Sequence, residues 1–281
     1  MPALYRSDMV SAKPRPFEVW NMKVPDMHRK ISKIVALVLL ALTVSHCAEK
    51  EFDPADPSKS FNIAREPYDD KDWERATTRL GEFKSRFPYS QYAIEAELLI
   101  ANAQFELERY AEAGASYEQF VKLHPKHQKV DFAMYRIGEC DWAQSPPEID
   151  REQDYTIKAI EEWNKLVDKF PDSEYSKKAS KFIADGIRRL AESHEFISKF
   201  YCKLEIYHAC AYRFSKLAGE YKQFKDMRLD ALKKAAEAFD KLANQKAADM
   251  TSDKNMYFRD LTPDQLRAKA AELRSEAAKG A

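Results

Sequence analysis

Few residues in this chain have the type and spacing to do chemistry. His124-x-x-His127 is the only close histidine pair, and it straddles Pro125 with no cysteine nearby, so the pair reads as a surface turn, not a metal site. Cys140, Cys202 and Cys210 are an odd set of thiols. Cys202 and Cys210 would stand roughly 12 Å apart on a continuous helix, too far for a disulfide. A turn near Leu204 to Ile206 would bring them into range, so the bond stays open as an alternative, and the expectation adopted is three buried free thiols. Glu161-Glu162 and Arg188-Arg189 fall on helix faces where solvated charge is the default. No Gly-rich phosphate loop, nucleophile elbow or zinc-protease helix is present, so no catalytic residue, metal or cofactor is expected.

The fourth cysteine has a different context. Met27 to Lys33 is basic, Ile34 to Val44 is uncharged and apolar, and the sequence turns polar after Cys47. This is the pattern of a secretory signal peptide, and eleven apolar residues fall short of a hydrocarbon core roughly 30 Å thick. Val44-Ser45-His46-Cys47 resembles the lipobox of bacterial lipoproteins, which implies acylation of Cys47 and attachment by lipid alone; His46 departs from the small residue usual there. Ala48 after the cysteine implies the outer membrane by the enteric sorting rule. The reading is therefore a misassigned start region over residues 1–26, a lipoprotein signal peptide over 27–46, and a lipidated Cys47 with a flexible tether over 47–70. Pro54, Pro57 and Pro67 interrupt that last segment, which extended would reach at most about 80 Å.

What must position any functional side chain is an internal repeat. Trp73-x-x-Ala76…Phe83…Phe87-Pro88 returns 37 residues later as Tyr110-x-x-Ala113…Phe120…His124-Pro125, and again as Tyr155…Ala159…Leu166…Phe170-Pro171. A period of this size predicts stacked helical hairpins. The stripe Trp73, Ala76, Leu80, Phe83, Phe87 gives a first helix, and Ala93, Ala96, Ile100, Ala103, Leu107 a second, matched by Val130, Ala133, Ile137 and Cys140. The third unit continues through Ala179, Ile183, Gly186 and Leu190 to Phe196, Phe200 and Tyr201 without a proline, predicting an unusually long helix or helix pair. A fourth copy, Tyr207-His-Ala209…Glu220-Tyr221, lacks the proline, so its turn is expected to be less sharply specified, with Gly219 breaking the helix nearby. Thr262-Pro263-Asp-Gln265 predicts the start of a final helix. The fold expected is an all-α tetratricopeptide-repeat solenoid of about four to five hairpins, with an N-terminal array over 71–142, a Pro-containing loop over 143–153 and a C-terminal array with a terminal helix over 154–281.

Composition agrees with a binding scaffold. Lys plus Arg and Asp plus Glu both total 46, leaving no bias toward a polyanion, so nucleic acid is not an expected partner. Six glycines argue against an all-β fold.

The order of features resembles the BamD family, tetratricopeptide lipoproteins of the outer-membrane β-barrel assembly machinery. The resemblance is carried by the lipobox, Phe87-Pro88-x-Ser90-x-Tyr92-Ala93, His124-Pro125 with Val130-Asp131-x-Ala133-x-Tyr135, Phe170-Pro171-x-Ser173-x-Tyr175, and Glu195…Phe200-Tyr201…Tyr207-x-Ala209…Arg213. It covers roughly Cys47 to Leu242; the proline expected at Tyr221 is missing. It implies a non-catalytic scaffold on the periplasmic face of the outer membrane. Its implied partners are a BamA-like barrel-forming subunit, unfolded outer-membrane clients and other assembly lipoproteins. It further implies partner-binding residues Arg213, Tyr207 and Tyr201, and client-binding residues Tyr92, Phe132 and Tyr135. Another periplasmic repeat lipoprotein, serving pilus assembly or Tol-associated cell division, is the alternative.

Overall fold

Four times along the chain a helix stops on one residue held in nearly the same backbone conformation. Phe87 (φ −127°, ψ 56°), His124 (−124°, 56°), Phe170 (−133°, 63°) and Tyr221 (−112°, 50°) each donate their N–H to the carbonyl four residues back. The first three precede proline, which disfavours helical backbone in the residue before it. Tyr221 does the same without one, and Gly219 lies inside the helix; the altered fourth ending is as sharply defined as the others.

The computed structural model describes residues 50–248 and 257–280. The helices are α1 (Pro57–Asp69), α2 (Trp73–Arg86), α3 (Gln91–Glu106), α4 (Tyr110–Leu123), α5 (Val130–Gln144), α6 (Asp154–Lys169), α7 (Glu174–Lys203), α8 (Tyr207–Glu220), α9 (Lys225–Ala247) and α10 (Pro263–Gly280). Each packs on its neighbours in sequence, and α2/α3, α4/α5, α6/α7 and α8/α9 are the four repeated pairs. No strand occurs among the described residues. Helix α7 is a single helix of 30 residues, about 45 Å long. Cys47 and the expected signal peptide over 27–46 lie outside the described residues.

The turns repeat as faithfully as the helices. Lys71, Glu108 and Glu205 occupy the left-handed region (φ 62°, 58° and 59°) two residues before α2, α4 and α8. Each sits in a Schellman-type ending, where the next N–H reaches back to the carbonyls of Pro67, Gln104 and Tyr201. In the first and third pairs a serine caps the second helix, and in the second pair a histidine at the same repeat position makes the matching bond one turn earlier than the helix start. Ser90 and Ser173 accept from the N–H two residues on, and His127, at the equivalent place, does so through Nδ1 at 3.1 Å. The Thr262–Gln265 capping box forms reciprocally at the start of α10.

The segment expected to be a tether is in large part structured. Asp56 caps α1 by accepting from Lys59 N, Pro57 stands at the first helical position, and Pro67 falls in the last turn. Phe61 and Ala64 are buried on α2 and α3, and Phe52 is already seated beside Phe83 at 6.2 Å, under the Arg79 guanidinium. The prolines mark the ends of a helix here, not a linker.

The core is densest at the α5/α6/α7 crossing. Trp163 is fully buried, donates Nε1–H to the Tyr135 carbonyl at 3.1 Å, and stacks on Phe182. Gly138 and Gly186 admit this packing: a Cβ at Gly138 would meet Trp163 Nε1 at 2.3 Å, and one at Gly186 would meet Ile160 at 2.9 Å. The connection from α5 to α6 is stapled by Gln153, whose amide nitrogen donates to the Glu148 carbonyl (2.9 Å) while its oxygen accepts from Thr156 Oγ1 (2.7 Å).

Candidate partner-binding site

Helix α7 is nearly twice as long as α6, and its carboxy-terminal half has an inverted face pattern. The residues it buries there are small, Ala191, Ser193 and Ser198, while Phe196, Phe200 and Leu204, spaced by four, are about half exposed (45%, 51% and 51%). These large apolar side chains, turned outward at helical spacing, form an exposed apolar stripe. The spacing was readable in the sequence; its outward direction was not, because small and large apolar residues alternate around this helix.

Tyr201 links that stripe to α8. Its ring lies 6.0 Å from that of Phe200, and the Arg213 guanidinium sits over its other side at 4.7 Å. Arg213 is half-buried, and its Nε is enclosed by the fold without a hydrogen-bond partner, so the guanidinium is held there chiefly by its contact with the Tyr201 ring. Tyr207 opens α8 at the far side of the turn, with Lys241 Nζ 5.2 Å above its ring. Tyr201 and Arg213 are thus brought together across the turn, while Tyr207 packs toward α9. At the other end of α8, Tyr221 closes the helix, edge-on to His194, whose pKa burial lowers.

Cys202 and Cys210 are not free thiols. Glu205 in the left-handed conformation folds the chain back, their Cα atoms come within 5.0 Å, and they form a disulfide. Cys140 is the buried free thiol expected, its pKa pushed up to about 12 by burial, which keeps it protonated and unreactive.

The three client candidates lie elsewhere and differ among themselves. Tyr92 stacks on Phe61 at 5.2 Å, with its pKa lowered by hydrogen bonds to Ser58 and Gln91. Phe132 is partly exposed between Tyr117 and Tyr175, with Arg136 over it at 5.4 Å. Tyr135 is buried, 8% exposed, between Trp163 and Tyr175; it serves the core and offers a client almost no surface. The Phe132 region is braced by Asp131, which accepts from Ser173 Oγ at 2.6 Å and so ties α5 to the cap of α7. His124 and His127 flank Phe120; His124 pairs with Glu97 at 2.8 Å while His127 accepts from Lys129 N–H in the turn before α5, so each has a structural task.

Residues 53–254 match the family described as YfiO, outer membrane lipoprotein. The outer membrane protein assembly factor BamD of Neisseria gonorrhoeae is 27% identical over 214 residues, covering 68% of this chain and 78% of the relative. That of Pasteurella multocida is 26% identical over 250 residues, covering 83% and 95%. Among solved structures, the TPR2AB-domain:pHSP90 complex of yeast Sti1 is similar over 80% of this chain and 93% of its own, at 12% identity and a TM-score of 0.38.

Proposed function

The chain belongs to the YfiO family of outer membrane lipoproteins, and on that premise we propose that it is a non-catalytic scaffold for the assembly and insertion of outer-membrane β-barrel proteins. The observation that carries the reading is the extent of the match: residues 53–254 take in α1 to α9, all four repeated pairs. Relatives named outer membrane protein assembly factor align over most of that length.

Cys47, acylated, holds the chain at the periplasmic face of the outer membrane. The elbow of Tyr201, Tyr207 and Arg213, extended by Phe196, Phe200 and Leu204, docks a BamA-like barrel-forming subunit. A carboxylate of that subunit meets the guanidinium of Arg213, and apolar side chains cover the stripe. Tyr92 and Phe132 receive extended client segments, with Tyr135 supporting Phe132 from beneath through Tyr175. Other assembly lipoproteins take further faces, and the even charge balance supports protein partners over nucleic acid.

The test is a photo-crosslinking residue at Phe200 in native membranes, with the adduct identified by mass spectrometry. The reading expects the barrel-forming subunit. Recovery of only pilus or peptidoglycan-associated proteins would overturn it.

A further inference from the structure

We propose that Cys202 and Cys210 are a thiol–disulfide exchange site, in which Cys202 is the sulfur that an incoming disulfide reaches and Cys210 is the buried resolving thiol. Closing the bond sets the elbow that carries Tyr201 and Arg213; this last clause rests on the docking reading above.

The repeat itself shows what the pair replaces. Counting from the left-handed residues Lys71, Glu108 and Glu205, the position three before is Tyr68, Phe105 and Cys202, and the position five after is Ala76, Ala113 and Cys210. In the first two turns the aromatic packs edge-on against the residue that opens the next helix, Tyr68 on Trp73 and Phe105 on Tyr110, both at 5.3 Å. Tyr207 opens α8 at the same place, but its aromatic counterpart is gone. A covalent bond stands where ring packing holds the other two turns. The smaller side chain also leaves room: a cavity of about 180 Å³ lies over the pair, lined by both cysteines, Tyr207, Phe214 and the lysines 199, 234 and 241.

Accessibility separates the roles. Cys210 is 1% exposed, whereas Cys202 is partly exposed at the end of α7. Of the lining lysines, Lys199 pairs with Glu195 and Lys234 with Asp230, so with Glu237 the surroundings are close to charge-balanced, and the exposure of Cys202 is what assigns the attacking sulfur. In the oxidation, the Cys202 thiolate attacks one sulfur of an incoming disulfide. A mixed disulfide forms and one thiolate of the reagent leaves. The Cys210 thiolate then attacks the Cys202 sulfur and expels the second, so the chain loses two protons and two electrons and the reagent becomes two thiols. Reduction runs the same path backwards.

The bond matters here because little else pins the turn. Ile206, the cap of α8, makes no side-chain capping bond, in contrast to Asp72 at the first repeat, which accepts from Arg75 N. With the pair reduced, the backbone bonds of Glu205 and Ile206 to Cys202 and Tyr201 remain across the elbow, together with the contact of Arg213 over Tyr201.

The experiment uses the purified full-length mature chain with glutathione disulfide as the probe, quenched by acid and mapped by mass. Cys210→Ser should accumulate one glutathione on Cys202, and Cys202→Ser should carry about tenfold less on Cys210. The same Cys210→Ser chain, acid-trapped from cells, should carry an adduct whose mass tells a small disulfide from a protein one. Equal labelling of the two cysteines, or no labelling of Cys202, would overturn the exchange site. If the asymmetry holds and the reduced chain still captures the barrel subunit at full yield, the coupling to docking is wrong while the exchange site stands.

Discussion

Gly138 on α5 lies against the indole of Trp163 on α6, so close that a methyl group at Gly138 would stand 2.3 Å from Nε1. That contact lets the second and third repeated pairs share one aromatic core of Tyr135, Trp163, Tyr175 and Phe182. Gly138→Ala should therefore destabilise the fold by about 1–3 kcal/mol, since a fully buried indole has nowhere to move. Gly81, which has nothing within 4 Å of a built Cβ, is the control. Gly81→Ala should raise stability by up to about 1 kcal/mol through helix propensity alone. Denaturant unfolding of both variants checks the contrast.

The His127 bond in the turn that leads into α5 makes that turn sensitive to pH. The His127 Nδ1 accepts from Lys129 N–H, which needs the neutral ring, and burial lowers its pKa, helped by His124 and Lys129. A lowered folded pKa means that the contribution is complete above the unfolded value, about 6.5, and is lost as pH falls through the folded one. His127→Ser installs the residue that caps the first and third copies. Its urea midpoint should fall less than that of the parent between pH 7.5 and pH 5.

Asp141 behaves in the opposite sense. Burial first, then Glu162 and Glu118, raise its pKa to about 6, against the partial opposition of Lys158 and Lys165. A raised folded pKa on a carboxyl group costs stability at neutral pH, where the group must ionise, and relieves that cost as pH drops. Asp141→Asn should accordingly raise the melting temperature at pH 7.5 and give a smaller gain at pH 4.5.

The docking surface yields a separable pair of substitutions. Arg213→Glu should reduce recovery of the barrel-forming subunit at least tenfold with the chain still folded by circular dichroism, because it sets like charge against the proposed carboxylate. Phe200→Asp should do likewise, as its ring is half exposed and its loss leaves the core intact. Full recovery with either variant would place the contact elsewhere.

Much of this architecture was legible because the same local chemistry recurs. The Phe-Pro and His-Pro endings, the Ala stripes and the Thr262 capping box each encode a helix boundary within four or five residues, and all form as read. Two of the misreadings depend on contacts between helices, and the third on one local backbone conformation. Helix α1 carries only Phe61 and Ala64 as a stripe and gains its stability from α2 and α3, so its prolines looked like linker chemistry. The Cys202–Cys210 bond depends on a left-handed Glu205, a residue type with no intrinsic signal for that conformation. Tyr135 was indistinguishable by spacing from an interface aromatic, and only the position of Trp163 assigns it to the core.

Depletion tests most directly the proposed role of this chain in assembling outer-membrane barrels. In cells depleted of the chain, the fraction of a heat-modifiable outer-membrane β-barrel protein that migrates as folded should fall several-fold, with recovery on resupply of the parent sequence. An unchanged folded fraction through complete depletion would contradict the account.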